Sequence, residues 1–301
     1  MTDYDVAIIG AGPAGLTAGI YSARYGLKTI ILEKGLIGGT ATWANSIQNY
    51  PGYSDISGME LMQKIKEQAE NAGAKIELED AEEINEKGDE KEIKIGSRKI
   101  TAKAVIITVG AKSKWLNVKG EKEFLNKGVH FCATCDGPMY NGKEVAVIGS
   151  DSRAAEEAIY LAGVTRKTYL ISPKKELNCE NAKIKTLKEK KVEVLLETGI
   201  ISFEGKNNLE AVILRTPHGE KKLFLSAAFI YAGSEPNTAM VNVKKDEMGR
   251  ILVNSEMETN VKGIFAAGDC IKKELNQIAT CIGEGATAAH SAAKLIQNKN
   301  Y

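Results

Sequence analysis

Twice in this chain a short apolar strand breaks at a glycine and passes into a helix of small residues. The first case opens with "YDVAIIG", continues through the helical period of "AGLTAGIYSARYG" to Gly26, and reaches a second strand, "KTIILEK". A helix between two buried apolar strands brings the chain back in the same direction, so the segment is a βαβ unit of a parallel sheet. The second case begins at "KEVAVIG", runs through "RAAEEAIYLAG" and enters "KTYLIS". Two such units far apart predict an α/β fold with two doubly wound, three-layer domains of the dinucleotide-binding type. "ITAKAVIITVGAK", with its glycine turn at Gly110, and "LSAAFIYAGSEPN" are buried strands that end at a glycine. They mark the crossings between a first domain, residues 1–113 and 234–301, and a second domain, 114–233, inserted into it.

A chain of 301 residues can bury two cores. Forty basic against thirty-nine acidic residues leave a net charge of +1, so no global field draws the chain to nucleic acid or an anionic membrane. "MTDYDVAIIGAGPAG" has no basic n-region, and its apolar run is short for a signal peptide or a span, which predicts a soluble cytoplasmic protein. Five cysteines, an odd number, fit a reducing compartment; Cys179, Cys270 and Cys281 are dispersed, while Cys132 and Cys135 form C-x-x-C.

In "IIGAGPAG", Gly10, Gly12 and Gly15 complete G-x-G-x-x-G between strand and helix, and Glu33 closes the next strand. Gly10 permits the tight turn, Gly12 lets backbone approach a pyrophosphate, Gly15 lets helix and strand pack closely, and Glu33 accepts from ribose hydroxyls. Downstream, "GIFAAGDCI" sets Gly268 and Asp269 at a strand end, where the acid can accept from a polyol chain; the helix that follows, from about Glu284, points its N-terminus at a pyrophosphate or flavin edge. The two motifs together point to FAD.

"HFCATCDGPMY" holds Cys132, Cys135 and Asp136 and has three readings. A zinc site lacks a second C-x-x-C and has only His130 nearby. Two buried structural thiols are a second reading. The third is a dithiol/disulfide pair, with Asp136 as acid or base for an attacking or departing sulfur, or else as a turn former in solvent.

These motifs, with "GLIGGTATWANSIQNYPGY" and "QIATCIGEGATAA" in the same order and spacing, resemble the low-molecular-weight thioredoxin reductases over almost the whole chain. The resemblance implies a homodimeric FAD enzyme in which Cys132 and Cys135 take electrons from the isoalloxazine and then swing out on their domain to reduce thioredoxin. It places Cys135 at the flavin and Cys132 as the sulfur that attacks thioredoxin. It also implies an FAD site of Gly10, Gly12, Pro13, Ala14, Gly15, Glu33, Gly39, Asn49, Gly268, Asp269, Gln277 and Ile278. Thr40 stands where the family commonly has glutamine, and Asn276 where it has arginine.

The second βαβ unit departs from that family's NADPH pattern. Its turn reads Gly149-Ser150-Asp151-Ser152-Arg153-Ala154, with Asp151 in place of the middle glycine. One pair of like charges at about 4 Å costs roughly 1 kcal/mol in bulk water and roughly 4 at an effective dielectric near 20. The family's basic stretch after the next strand is replaced by Ser172, Pro173 and Lys174, with Asn178 at the final arginine position. A bidentate clamp on a 2′-phosphate is therefore missing. The profile resembles the ferredoxin-linked flavin thioredoxin reductases, which lack both nucleotide motifs. An acidic ferredoxin needs a basic patch, for which "NAKIKTLKEKK" and "IKKE" are candidates. Three alternatives stay open: an NAD(P)H-dependent thioredoxin reductase with altered contacts, a flavin dithiol oxidase that uses oxygen, and a redox-sensing module without catalysis.

Overall fold

In the computed structural model, which describes residues 2–44 and 46–297, the apolar runs become central parallel strands. The elements begin with β1 (Tyr4–Ile9), α1 (Pro13–Arg24), β2 (Thr29–Leu32), α2 (Gly58–Asn71), β3 (Lys75–Glu77), β4 (Glu83–Lys87), β5 (Glu90–Ile95) and β6 (Arg98–Ile107). β7 (Ala111–Ser113) leads to β8 (Val129–His130), α3 (Ala133–Asp136), β9 (Glu144–Gly149), α4 (Ser152–Leu161), β10 (Lys167–Ile171), α5 (Asn181–Glu189) and β11 (Glu193–Leu195). After β12 (Gly199–Gly205), β13 (Leu209–Thr216), β14 (Gly219–Phe224) and β15 (Ala227–Tyr231), β16 (Ser234–Pro236) leads to β17 (Ile264–Ala266) and α6 (Ile278–Gln297). The chain divides into one unit of Met1–Lys112 with Glu235–Tyr301 and a second of Ser113–Ser234.

In the first unit the sheet runs β3-β2-β1-β6-β5-β4, parallel from β3 to β6. β6 splits its outer edge: its start pairs antiparallel with β5, and Val105–Ile107 pair parallel with β17. Side chains alternate across the sheet. Val6, Ile8, Ile31 and Ile106 cluster with Leu16 of α1, Leu61 of α2 and Ala289 of α6. Ala7, Ile9, Ile30 and Ile107 face the other way, into a cluster with Ile84 and Ile93 of β4 and β5 and with Val241 and Ile251. A parallel sheet apolar on both faces is what its continuous hydrophobic strands require.

The second unit repeats the plan. Its parallel sheet, β11-β10-β9-β15-β8, packs Val145, Val147 and Phe229 against Ala154, Ala158 and Leu187 of the helices. Ala146, Ile148 and Ile230 face Phe203, Val212 and Leu223 of the antiparallel sheet β12-β13-β14. In each unit one outer layer is helical and the other includes an antiparallel hairpin or meander, where the doubly wound pattern puts a second layer of helices. Among the described residues no helix is long and apolar enough to cross a membrane.

Candidate active site

The glycines between β1 and α1 have separable causes. A Cβ on Gly10, at φ +105°, would stand 2.4 Å from Thr108 O, and one on Gly15 would stand 1.8 Å from Gly10 O. The Thr108 hydroxyl donates to Ile9 O and Gly10 O and ties the turn to the end of β6. Both glycines are therefore demanded by the protein's own packing. Gly12 is different: it has an ordinary φ of −75°, and a Cβ there would meet nothing within 4 Å. It is the N-cap of α1 with no side-chain cap, and Pro13 follows at the first turn. Room over Gly12 and uncapped N–H groups fit a pyrophosphate.

Glu33, Gly39 and Gly268 of the remaining FAD candidates lie close to that helix end. Glu33, just past β2, accepts from Ala11 N at 2.7 Å and Gly35 N at 2.8 Å, which fixes its carboxylate beside the glycine turn. Gly10, Leu32, Glu33, Asp80, Ala81 and Val109 line one small pocket beside the glycine turn. A Cβ on Gly39 would lie 3.6 Å from Gly12 Cα, and Gly268 packs on Ala14 at 3.1 Å by the same measure. Asn49 Nδ2 donates to Gln277 Oε1 at 3.0 Å, and Gly110 takes φ +63° in open space.

The expectation of a helix from about Glu284 is corrected. α6 starts at Ile278, with Cys281 N donating to Gln277 O, and Gly285 lies within it. A Cβ on Gly285 would be 2.2 Å from Ala14 O, so this interior glycine serves the close crossing of α1 and α6 rather than a helix start. Gln277 and Ile278 stand at the N-terminal end of α6. Beneath it, Lys273 Nζ reaches Glu284 at 2.9 Å and Asp269 at 3.3 Å, while Glu284 also accepts from Gly268 N and Asp269 from the Cys281 thiol. Burial alone would lower the Lys273 pKa, but Cys281, Asp269 and Glu284 together hold it above its ordinary value. Lys273 belonged to the "IKKE" docking candidate; with its side chain 10% exposed and doubly paired, it is an internal brace instead.

In the second unit Cys132 and Cys135 form a disulfide across the first turn of α3, with Cα atoms 5.3 Å apart. Cys132 is the N-cap, and its sulfur accepts from Cys135 N at 3.3 Å. Ala133 N, fully buried, donates to Tyr231 Oη at 2.8 Å, which pins the start of the turn to β15. Burial of the Tyr231 phenol, with Glu157 beside it, pushes its pKa up. Asp136 Oδ2 lies 3.1 Å from Nδ1 of His130, whose Nε2 is 2.7 Å from Tyr140 Oη. Among the described residues no group of three His, Cys, Asp or Glu is placed to hold a metal ion. His130 entered the sequence reading only as a zinc candidate, and Tyr140 and Tyr231 not at all. The signal that could have found His130 is its place two residues before the C-x-x-C, on a strand that must end beside it.

The altered nucleotide turn is filled by the protein's own groups. Asp151 is the N-cap of α4, and its Oδ1 accepts from Ala154 N at 2.9 Å. Asn178 N donates to Ser150 O at 2.7 Å, and Ser150 and Ser172 share a hydroxyl bond of 2.8 Å. Ser152 donates to Glu180, and Lys183 pairs with Glu156 and Glu180, at 2.5 and 2.8 Å. Lys183 and Ser152 hold the Glu180 carboxyl down at about 2.

A family model described as pyridine nucleotide-disulphide oxidoreductase matches residues 4–285. A thioredoxin reductase from Treponema pallidum (strain Nichols) is 38% identical over 300 residues, covering 98% of both chains. The crystal structure of a thioredoxin reductase from Streptococcus pyogenes MGAS5005 superposes with a TM-score of 0.93 at 33% identity, covering 98% of each chain. A ferredoxin-flavin thioredoxin reductase from Clostridium acetobutylicum is 32% identical with a TM-score of 0.56, covering 100% of this chain and 99% of that one.

Proposed function

Because the chain belongs to the pyridine nucleotide-disulphide oxidoreductases and, within them, to the low-molecular-weight thioredoxin reductases, which are FAD enzymes that reduce a protein disulfide, we propose that its electron donor is reduced ferredoxin. Two reduced ferredoxins, one thioredoxin disulfide and two protons give two oxidised ferredoxins and thioredoxin dithiol. The working enzyme is a cytoplasmic homodimer. Residues 1–113 with 234–301 form its FAD domain, and 114–233 form a redox domain built on a former NADPH scaffold.

The observation that carries the choice of donor is the Asp151 cap on α4. A pyrophosphate at this helix end would have to displace a carboxylate already bonded to Ala154 N and then sit beside its charge. Among the described residues no side chain caps α1, whose N-cap is Gly12. In the FAD domain the first turn of α1 would hold the pyrophosphate and Glu33 the ribose. Asp269, Gln277 and Ile278 would serve the ribityl and ring end, and Gly39, Asn49 and Gly110 would complete the site. FAD supplies the means to collect single electrons and deliver two together to a disulfide. Cys135 is the sulfur that meets the flavin, Cys132 the one that attacks thioredoxin, and Asp136 exchanges the proton with the departing or attacking sulfur. The exposed lysines Lys185, Lys188, Lys190 and Lys191 at the end of α5 supply a basic patch for an acidic donor. The name of the Clostridium acetobutylicum relative shows that this donor occurs among chains of this fold.

Anaerobic mixing of the oxidised holoenzyme with each donor tests the proposal. Reduced ferredoxin should bleach the flavin and drive thioredoxin reduction, while NADPH and NADH leave the flavin oxidised over the same seconds. Rapid bleaching by either nucleotide overturns the ferredoxin reading. Hydrogen peroxide formed from a reduced dithiol in air, at the rate of turnover, replaces it with the oxidase.

A further inference from the structure

The redox unit holds a buried imidazole next to the disulfide that the reaction above does not use. His130 ends β8 and is 3% exposed. Its ring stacks on Phe229 with centroids 5.4 Å apart and meets Tyr140 edge-on at 5.4 Å, so it is held between two aromatic walls. Nε2 is 2.7 Å from Tyr140 Oη. Nδ1 has no aligned hydrogen bond among the described residues, and the acceptor facing it is Asp136 Oδ2 at 3.1 Å. We infer that His130 is a positioning residue for Asp136: with its tautomer set by Tyr140, it sets a buried Nδ1 3.1 Å from one carboxylate oxygen and leaves the other for the sulfurs of the exchange.

The donor direction follows from chemistry. A carboxylate only accepts, so the proton on the side of Asp136 belongs on Nδ1. The neutral ring then has a bare Nε2, which the Tyr140 hydroxyl can fill only by donating. Burial, together with the Asp136 charge, pushes the Tyr140 pKa up to about 12, so that hydroxyl keeps its proton across the working pH range. Tyr140 is the titratable group that faces His130 from the turn after α3, while Phe229 on β15 contributes a neutral face. The logic is that of an imidazole locked in one tautomer by the partner at its far nitrogen.

The inference rests on the reading of Asp136 as the proton-exchanging group. In the step concerned, the Cys132 sulfur bonds to one thioredoxin sulfur as the thioredoxin S–S bond breaks, and the Cys135 sulfur then displaces that thioredoxin sulfur to reform Cys132–Cys135. The two protons of the enzyme dithiol end on thioredoxin, with Asp136 taking the Cys135 proton and returning it to the second leaving sulfur. The enzyme disulfide gains nothing beyond its oxidation, and thioredoxin gains two electrons and two protons. With one carboxylate oxygen set against the imidazole at 3.1 Å, the other keeps one orientation towards the sulfurs. Without the imidazole, free rotation of the carboxylate dilutes that productive orientation.

The test uses holoenzyme reduced beforehand with dithionite and mixed with oxidised thioredoxin, so that the electron donor plays no part. Asp136→Asn sets the rate of exchange without the carboxylate. His130→Phe, which keeps the stack on Phe229, should slow exchange by about 10- to 100-fold. His130→Asn restores a donor on the Nδ1 side and should return the rate to within about threefold. Tyr140→Phe should fall between them. A rate unchanged in His130→Phe, or His130→Asn no better than His130→Phe, overturns the inference; the asparagine and tyrosine variants carry the test if the phenylalanine variant fails to fold. An unchanged rate in Asp136→Asn is a different result, which removes the reading of Asp136 itself and this role with it.

Discussion

The Asp151 carboxylate accepts from Ala154 N at 2.9 Å, so α4 begins on an anion of its own, whereas Gly12 leaves the matching end of α1 without a side-chain cap. The two helix ends have the same origin in the sequence pattern and opposite electrostatic states. Replacing Asp151 by Gly removes the charge at little cost, since glycine at an N-cap loses only a few tenths of a kcal/mol against aspartate. Joined to Asn178→Arg, next to the turn through the Asn178 N to Ser150 O bond, it should raise NADPH affinity by about tenfold to a thousandfold. Titration calorimetry with NADPH checks this. No gain in the double variant would mean that the charge at 151 does not exclude the nucleotide.

Gly12 and Gly15 separate ligand from fold. A Cβ on Gly15 would stand 1.8 Å from Gly10 O, so Gly15→Ala should cost about 1–3 kcal/mol or more whether or not flavin is present. A Cβ on Gly12 meets no protein atom within 4 Å, so Gly12→Ala should leave apoprotein stability within about 0.5 kcal/mol and still lower flavin content after purification. Denaturant unfolding of apo- and holoprotein, with the flavin-to-protein absorbance ratio, distinguishes the two. Equal loss of apoprotein stability in both variants contradicts the assignment of the space over Gly12 to FAD.

What could be read ahead of the structure was governed by sequence distance. β1-α1-β2 and β9-α4-β10 stand out because buried parallel strands are unbroken apolar runs and the helix between them has its own period. The meander β12-β13-β14 left a weaker trace, since half of β14 is lysine and glutamate facing water and only Leu223 in it reports the core. The start of α6 was misplaced because Gly283 and Gly285 look like helix breakers until Ala14, far away in the chain, is known to press on Gly285. Lys273 looked like surface charge for the same reason: its partner Glu284 is a helix residue that the sequence does not place beside it. Asp136 was found from its adjacency to Cys135, but its contact with His130 depends on β8 ending beside α3.

The Lys273–Glu284 pair makes a stability prediction with a definite sign. Glu284→Gln leaves a buried lysine with Asp269 as its remaining carboxylate and should cost about 3 kcal/mol, toward the low end for breaking a buried pair. Because the folded-state pKa of Lys273 lies above its ordinary value, its ionic contribution is fully present below the unfolded lysine pKa of about 10.4 and is lost as pH rises through the folded value. Wild type and Glu284→Gln should therefore differ by a constant amount from pH 6 to 9 and converge above about pH 10.4. Urea unfolding across that range measures the difference; a gap that closes already at pH 8 would place its source elsewhere.

The two sulfurs of the disulfide are not equivalent, and single serine variants expose the difference. Cys132 is the N-cap whose sulfur takes the Cys135 N–H, and its side chain also meets the Thr134 hydroxyl at 3.4 Å, so a thiolate there has an amide and a hydroxyl to stabilise it. Cys135→Ser keeps that attacking sulfur and the FAD cradle but removes the sulfur that resolves the exchange. It should bind FAD at wild-type stoichiometry, lose thioredoxin reduction by at least about 10³-fold, and accumulate a mixed disulfide with thioredoxin through Cys132. Cys132→Ser should lose activity as fully without trapping thioredoxin. Non-reducing electrophoresis and mass spectrometry read the adduct, and trapping by Cys132→Ser but not by Cys135→Ser would reverse the roles of the pair.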